Sequence, residues 1–146
     1  MIRLFAALSL PDEVGTALQR RQTGVEGARW RPLSALHVTL RFFGELREDV
    51  ARDLDLELTA VRSEPFDLEL EGVGAFGEGA DIHTIWAGVA ENLALRRLAK
   101  ACETAARRAG LKADARHYRP HVTLAYLRHA DPAEVGLRGK PRAVIV

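Results

Sequence analysis

The tetrad His-Val-Thr-Leu occurs twice in the chain, at residues 37–40 and 121–124. Each copy places an imidazole and a hydroxyl two residues apart. Successive side chains of an extended strand alternate between faces, so His37 and Thr39 share one face while Val38 and Leu40 share the other. The same parity sets His121 and Thr123 against Val122 and Leu124. Each copy therefore reads as a strand with an apolar back and a His-plus-hydroxyl front. If the two strands lie side by side, two imidazoles and two hydroxyls face one cleft. A neutral imidazole takes a proton from an attacking oxygen, and a protonated one gives a proton to a leaving oxygen, both near neutral pH. Threonine hydroxyls donate hydrogen bonds to a group rich in oxygens, with no metal required. A phosphodiester suits this set. Its transition state carries negative charge on equatorial oxygens, between entering and leaving oxygens roughly in line. One His-x-Thr on a strand is ordinarily structural; two identical tetrads argue for shared chemistry.

Other constellations carry less. His117 and His121 are spaced like zinc ligands on a helix, but Pro120 forbids helix there. On a strand the two would stand roughly 13 Å apart. The chain has no His-Glu-x-x-His, no Cys pair, no Gly-x-Ser-x-Gly and no Gly-rich loop before Lys-Ser/Thr. The glycines of GVGAFGEG lie between two strand-like segments and read as a turn. His83 and His129 read as surface or strand-end histidines, and Trp30 and Trp86 as core or cleft-wall aromatics.

The elements that must hold the tetrads follow from periodicity. Residues 2–9 read as a buried strand ended by Pro11. Pro11, Asp12 and Glu13 start a helix over about 11–23, the acids favoured by the positive end of its dipole. TGVEGARWRPLS is a connection. Leu36 to Phe43 reads as a strand closed by Gly44. Val50, Leu54, Leu58 and Val61 make a helical stripe over 47–62, although LDLEL inside it alternates like a strand. FDLELEGVGAF alternates as a strand with one wet face, GEGAD is a turn, and IHTIWAGV is a further strand. Residues 91–109 form the strongest helix, with Leu95, Leu98, Ala99, Cys102, Ala105, Ala106 and Ala109 on one face and Gly110 as its stop. Cys102, on that stripe, reads as a small core residue. Residues 119–127 are a strand, and PRAVIV begins a last one. The order β-α-β-α-β-β-α-β-β has no dividing linker. The expectation is one domain over 1–146 with two similar halves.

Composition narrows the classes. With 146 residues, 47% of them hydrophobic and 28% charged, the chain can bury a core of its own. A net charge of +1 demands neither a nucleic-acid nor a membrane partner, yet most basic residues are Arg, the better phosphate fork, and these can cluster locally. A single cysteine excludes disulfides within one chain. No apolar run reaches the length of a membrane span. MIRLFAALSLP lacks a basic leader and reads as a first strand, so a cytoplasmic protein is expected.

At the tetrads and their flanks, the sequence resembles the two-histidine phosphoesterase superfamily. More narrowly, it resembles the bacterial and archaeal RNA 2′,3′-cyclic phosphodiesterases, also called 2′-5′ RNA ligases. RLFAALSLP, ARWRPLSALHVTLRFFGEL, FDLELEGVGAFG, IWAGV and RHYRPHVTLAYLR are similar to that family's segments, in its order, over about residues 2–128. The resemblance implies an α+β, bilobal, pseudo-symmetric fold: two antiparallel sheets flank a central cleft, with helices outside. It implies His37 and His121 as the acid/base pair, and Thr39 and Thr123 as holders of the phosphate oxygens. It implies opening of a 2′,3′-cyclic phosphate to a 2′-phosphate, with reversible 2′-5′ ligation, and neither metal nor ATP as cofactor. By analogy His121 is the base and His37 the acid. The implied partner is RNA with a 2′,3′-cyclic phosphate end, or a small nucleoside cyclic phosphate.

Two departures stand out. Where the family often has Arg after the second tetrad, this chain has Tyr126, with Arg128 as the next basic residue. Tyr126 is expected to donate its hydroxyl or stack on a base. Arg41, on the His face by parity, is the expected supplementary cation, with Phe43 as a further substrate contact. The family also usually continues past AVIV, so a shortened C-terminal edge is expected: a monomer, or an oligomer formed through that edge. Rival readings are a related enzyme acting on another cyclic or nucleotide phosphodiester, and an RNA-end binding module without turnover.

Overall fold

The computed structural model describes residues 1–127 and the backbone of 142–145. Chain order is β1 (Ile2–Ser9), α1 (Asp12–Gln19), β2 (Ala28–Trp30), β3 (His37–Leu46), α2 (Glu48–Thr59), β4 (Leu70–Phe76), β5 (Thr84–Val89), α3 (Leu93–Arg108), β6 (His121–Leu127) and β7 (Arg142–Ile145). The class is α+β. One half is the antiparallel set β4-β5-β6, with β2 also on β6; the other is β3-β1, with β7 added to β1 in parallel. The halves meet where β3 and β6 run antiparallel, and the one ladder pair between them is Val38 with Val122.

That pair explains the apolar back of each tetrad. Val38, Leu40, Val122 and Leu124 belong to the core, together with Leu54 and Leu58 of α2 and Leu95, Leu98 and Cys102 of α3. Val38, Val122, Leu54, Leu95 and Cys102 are fully buried. Burying a side chain of Val or Leu size contributes about 1.5–3 kcal/mol, so the helices clamp both tetrads from behind. Cys102 is a core residue, and burial pushes its thiol up to about 11. Asn92 caps α3, its side-chain oxygen accepting from the Leu95 N–H at 3.0 Å.

Several boundaries differ from the sequence expectation. Gly44 does not close β3. With φ at +80°, it follows a bulge at Phe43, since Leu4 pairs with Gly44 while Phe5 pairs with Phe42, and the strand runs on to Leu46. The connection TGVEGARWRPLS contains a short strand, β2, which exists because β6 offers a free edge to it. The alternation of Phe66 and Leu68 reflects packing on the core; ladder pairing begins at Leu70. β6 begins at His121, after Pro120, which has no N–H to give a ladder. Among the described residues no helix is long and apolar enough to cross a membrane.

Candidate active site

The antiparallel register fixed by Val38 and Val122 sets His37 beside Thr123 and Thr39 beside His121. With both valines buried behind the sheet, the two histidines and two threonines, all partly exposed, face the other way. The repeat extends beyond the letters. Ala7 pairs with Thr39 and Ala6 with Arg41, so Leu40 is the extra residue of a β-bulge. Trp86 pairs with Thr123 and Ile85 with Ala125, so Leu124 is its counterpart. Each tetrad thus ends on a bulged leucine, and bulges of this kind re-aim the side chains that follow.

Each imidazole has a carbonyl two residues upstream beside it. The His121 Nδ1–H donates to the Arg119 carbonyl at 2.6 Å, which leaves Nε2 as the free nitrogen. The Ala35 carbonyl lies near enough to the His37 ring to favour its charged form. Phe5 lies against His37 with centroids 4.8 Å apart. Phe76 meets His121 edge-on at 5.0 Å, and Trp86 stands 6.0 Å from it. Burial holds His37 below the ordinary histidine value of 6.5, and the positive neighbours Arg31 and His121 add to the lowering, against the Ala35 hydrogen bond.

A cleft of about 530 Å³ opens where β3 and β6 part. Thr39, Phe42, Phe76, Tyr118, Arg119 and His121 line it, and α3 contributes Arg96, Lys100 and Glu103. His37 and Thr123 sit beside the cleft rather than in its wall. Tyr118 bridges the halves, its hydroxyl donating to the Thr39 carbonyl at 2.8 Å; burial pushes its hydroxyl well above the ordinary tyrosine range.

The supplementary residues fall out differently. Parity placed Arg41 on the His face, and Arg41 lines the same cleft as Thr39 and His121. The Arg41 side chain is only 9% exposed and pairs with Glu103 of α3 at 2.5 Å. It also donates to the Phe42 carbonyl at 2.6 Å and the Lys112 carbonyl at 2.9 Å. Phe43 is turned into the core at 7% exposure, which corrects its expected substrate contact; its neighbour Phe42 lines the cleft instead. Tyr126 is half-buried beneath the Arg31 guanidinium, 5.4 Å from its ring centroid, and burial raises its hydroxyl above the ordinary tyrosine value. Arg128 and His129 lie outside the described residues. His83 is a strand-end residue bonded to the Thr84 hydroxyl at 2.8 Å. Trp86 walls the second tetrad, and Trp30 packs on the core.

Sequence reading missed Arg31 and Arg119, although a signal was there. Trp30-Arg31-Pro32 lies four residues before the first tetrad and Tyr118-Arg119-Pro120 directly before the second, so an aromatic-Arg-Pro triplet precedes each tetrad at a different spacing. Among the described residues no group of three or more His, Cys, Asp or Glu is placed to hold a metal ion.

Comparison with known proteins identifies the family and the fold. A family model described as the 2′-5′ RNA ligase superfamily matches residues 10–138. The chain is 29% identical over 134 residues to an RNA 2′,3′-cyclic phosphodiesterase of Archaeoglobus fulgidus, covering 90% of this chain and 76% of that one. Against a Geobacillus stearothermophilus protein of the same description, the match spans 40% of the relative's length. The fold superimposes on TT0787 of Thermus thermophilus with a TM-score of 0.75 and 32% identity, over 90% of this chain and 77% of that one. It superimposes on E. coli LigT complexed with 3′-AMP with a TM-score of 0.72 and 29% identity, over 88% and 74%. Matched along most of its length, the chain belongs to the 2′-5′ RNA ligase superfamily.

Proposed function

We propose that this protein hydrolyses RNA 2′,3′-cyclic phosphate ends to 2′-phosphates without a metal, and that the same site can run a reversible 2′-5′ ligation. The observation that carries this reading is the Val38–Val122 pair, which sets the two His-x-Thr tetrads side by side. Relatives described as RNA 2′,3′-cyclic phosphodiesterases, and a related structure holding 3′-AMP, support the substrate class.

On this reading the halves work as one unit. His121 is the base: its Nδ1–H is tied to Arg119, so Nε2 is free to take a proton from water as the oxygen attacks phosphorus. His37 is the acid and protonates the departing 3′ oxygen; a histidine whose pKa is lowered is a stronger donor once charged, and the anionic diester helps it hold the proton. Thr39 and Thr123 donate to the non-bridging oxygens. Arg41, tied to Glu103, positions the bulged strand and the segment leading to Tyr118.

The test is incubation of an oligoribonucleotide ending in 2′,3′-cyclic phosphate with the protein in excess chelator, with the product read by phosphorus NMR. A 2′-phosphate is expected. A 3′-phosphate, or turnover only with added divalent metal, would refute the reaction. Tight binding with no turnover would favour an RNA-end binding module, and preference for another diester a sister enzyme.

A further inference from the structure

Arg31 differs from three of the arginines that line the cleft. Arg41, Arg96 and Arg116 each pair with a carboxylate. Arg31 has no carboxylate partner among the described residues, and its guanidinium rests on the Tyr126 ring. Its backbone is fixed at both ends: the Arg31 N–H donates to the Leu124 carbonyl at 2.8 Å, and its own carbonyl accepts from the Gln22 side chain at 3.2 Å. Pro32 follows and holds Arg31 to extended conformations. Because Trp30 pairs with Ala125, Arg31 is set one residue from Thr123, on the bulge that ends the second tetrad. The connection it opens leads directly into His37. A long cation is thus anchored between a hydroxyl of one motif and the imidazole of the other.

We propose, resting on the phosphodiester reading of this same site, that Arg31 is a substrate-binding residue whose guanidinium donates to a non-bridging oxygen of the phosphate on the His37–Thr123 side, with Tyr126 as its positioning residue. Stacking on an aromatic face orients a guanidinium while leaving its in-plane N–H groups free for phosphate. The charged groups facing His37 are Arg31 and His121, and Phe5 of β1 covers another side. Arg31 therefore also sets the proton affinity of the proposed acid: its charge disfavours imidazolium in the free protein, and bound phosphate offsets that charge.

The experiment compares the wild type with Arg31→Gln, Arg31→Lys, Tyr126→Leu and the exposed control Arg47→Gln. Turnover of a nucleoside 2′,3′-cyclic phosphate is followed against pH, and affinity for a nucleoside 2′-monophosphate is measured by calorimetry. Arg31→Gln is expected to lower kcat/KM by about 10²-fold, the usual cost of one lost oxyanion donor, to weaken 2′-monophosphate binding, and to move the limb of kcat/KM set by His37 upward. Arg31→Lys recovers part of the loss, Tyr126→Leu loses part of it, and Arg47→Gln changes neither measurement. Unchanged kcat/KM, affinity and His37 limb in Arg31→Gln would overturn the proposal and leave Arg31 as a staple between β2 and β6. If the wild type binds the monophosphate but turns nothing over, the reaction proposed above fails, while the affinity comparison still decides the role of Arg31.

Discussion

His37 and His121 share their chemistry but not their surroundings. Burial, Arg31 and His121 press His37 toward its neutral form, while His121 lines the open cleft. Replacing either by Ala is expected to cost about 10²–10⁴-fold in kcat, the usual worth of an acid–base group, as steady-state kinetics on a cyclic phosphate would show. The pH dependence carries a sign. His37 must be protonated to act as the proposed acid, and its value in the free protein lies below 6.5, so one of the two limbs of kcat/KM should lie below that value. A bound phosphate anion favours imidazolium, so that limb should stand higher in kcat. Rate profiles taken at saturating and at low substrate would separate the two. The four tetrad residues were legible in the sequence because strand parity fixes which side chains share a face. Phe43 was misread because a bulge at Leu40 resets that parity, and no residue type announces it; Arg41 does line the cleft, but its pairing with Glu103 was not legible.

At the level of strands and helices, the second tetrad depends on close packing between β4 and β5. A Cβ added at Gly74 would lie 2.3 Å from the Trp86 ring, which is rigid and cannot fold away. Trp86 in turn stands beside His121 and Phe76. Gly74→Ala is therefore expected to displace the indole, to destabilise by about 1–3 kcal/mol as overpacking does, and to lower kcat/KM. Chemical denaturation and kinetics on the same variant would check both. The long elements α2, α3 and β3 were readable because their apolar patterns persist for several turns or pleats. β2 was not: three residues carry no period, and the strand exists only through its partner β6. The two aromatic-Arg-Pro triplets were visible in the letters, but their sense, the Arg119 carbonyl behind His121 and the Arg31 cation beside Thr123, needed the register.

Taken whole, the molecule places its chemistry at the thinnest joint between two halves. Among the described residues one ladder pair, Val38 with Val122, crosses the joint, and side-chain bonds from Tyr118 to the Thr39 carbonyl and from Arg41 to the Lys112 carbonyl tie β3 to the segment leading into β6, with α3 packed behind. A cleft between halves so joined can hold a phosphate without a deep pocket. Tyr118→Phe removes the bridge and should cost about 0.5–1.5 kcal/mol of stability, the net worth of one hydrogen bond; if the bridge sets the spacing of the tetrads, kcat should fall further than stability alone explains, as thermal melting beside kinetics would show. The two-halved plan was legible from the repeated tetrad; how little joins the halves was not, because which residues of two strands meet is decided by tertiary packing.

The imidazoles themselves offer the most direct test. In protein labelled with ¹⁵N at histidine, ring nitrogen shifts can be titrated against pH with and without a nucleoside 2′-monophosphate. If His37 and His121 flank one phosphorus, both rings respond to the same ligand at one-to-one stoichiometry, and both pKa values rise when it binds. A response confined to one ring, or to neither, would contradict the shared site.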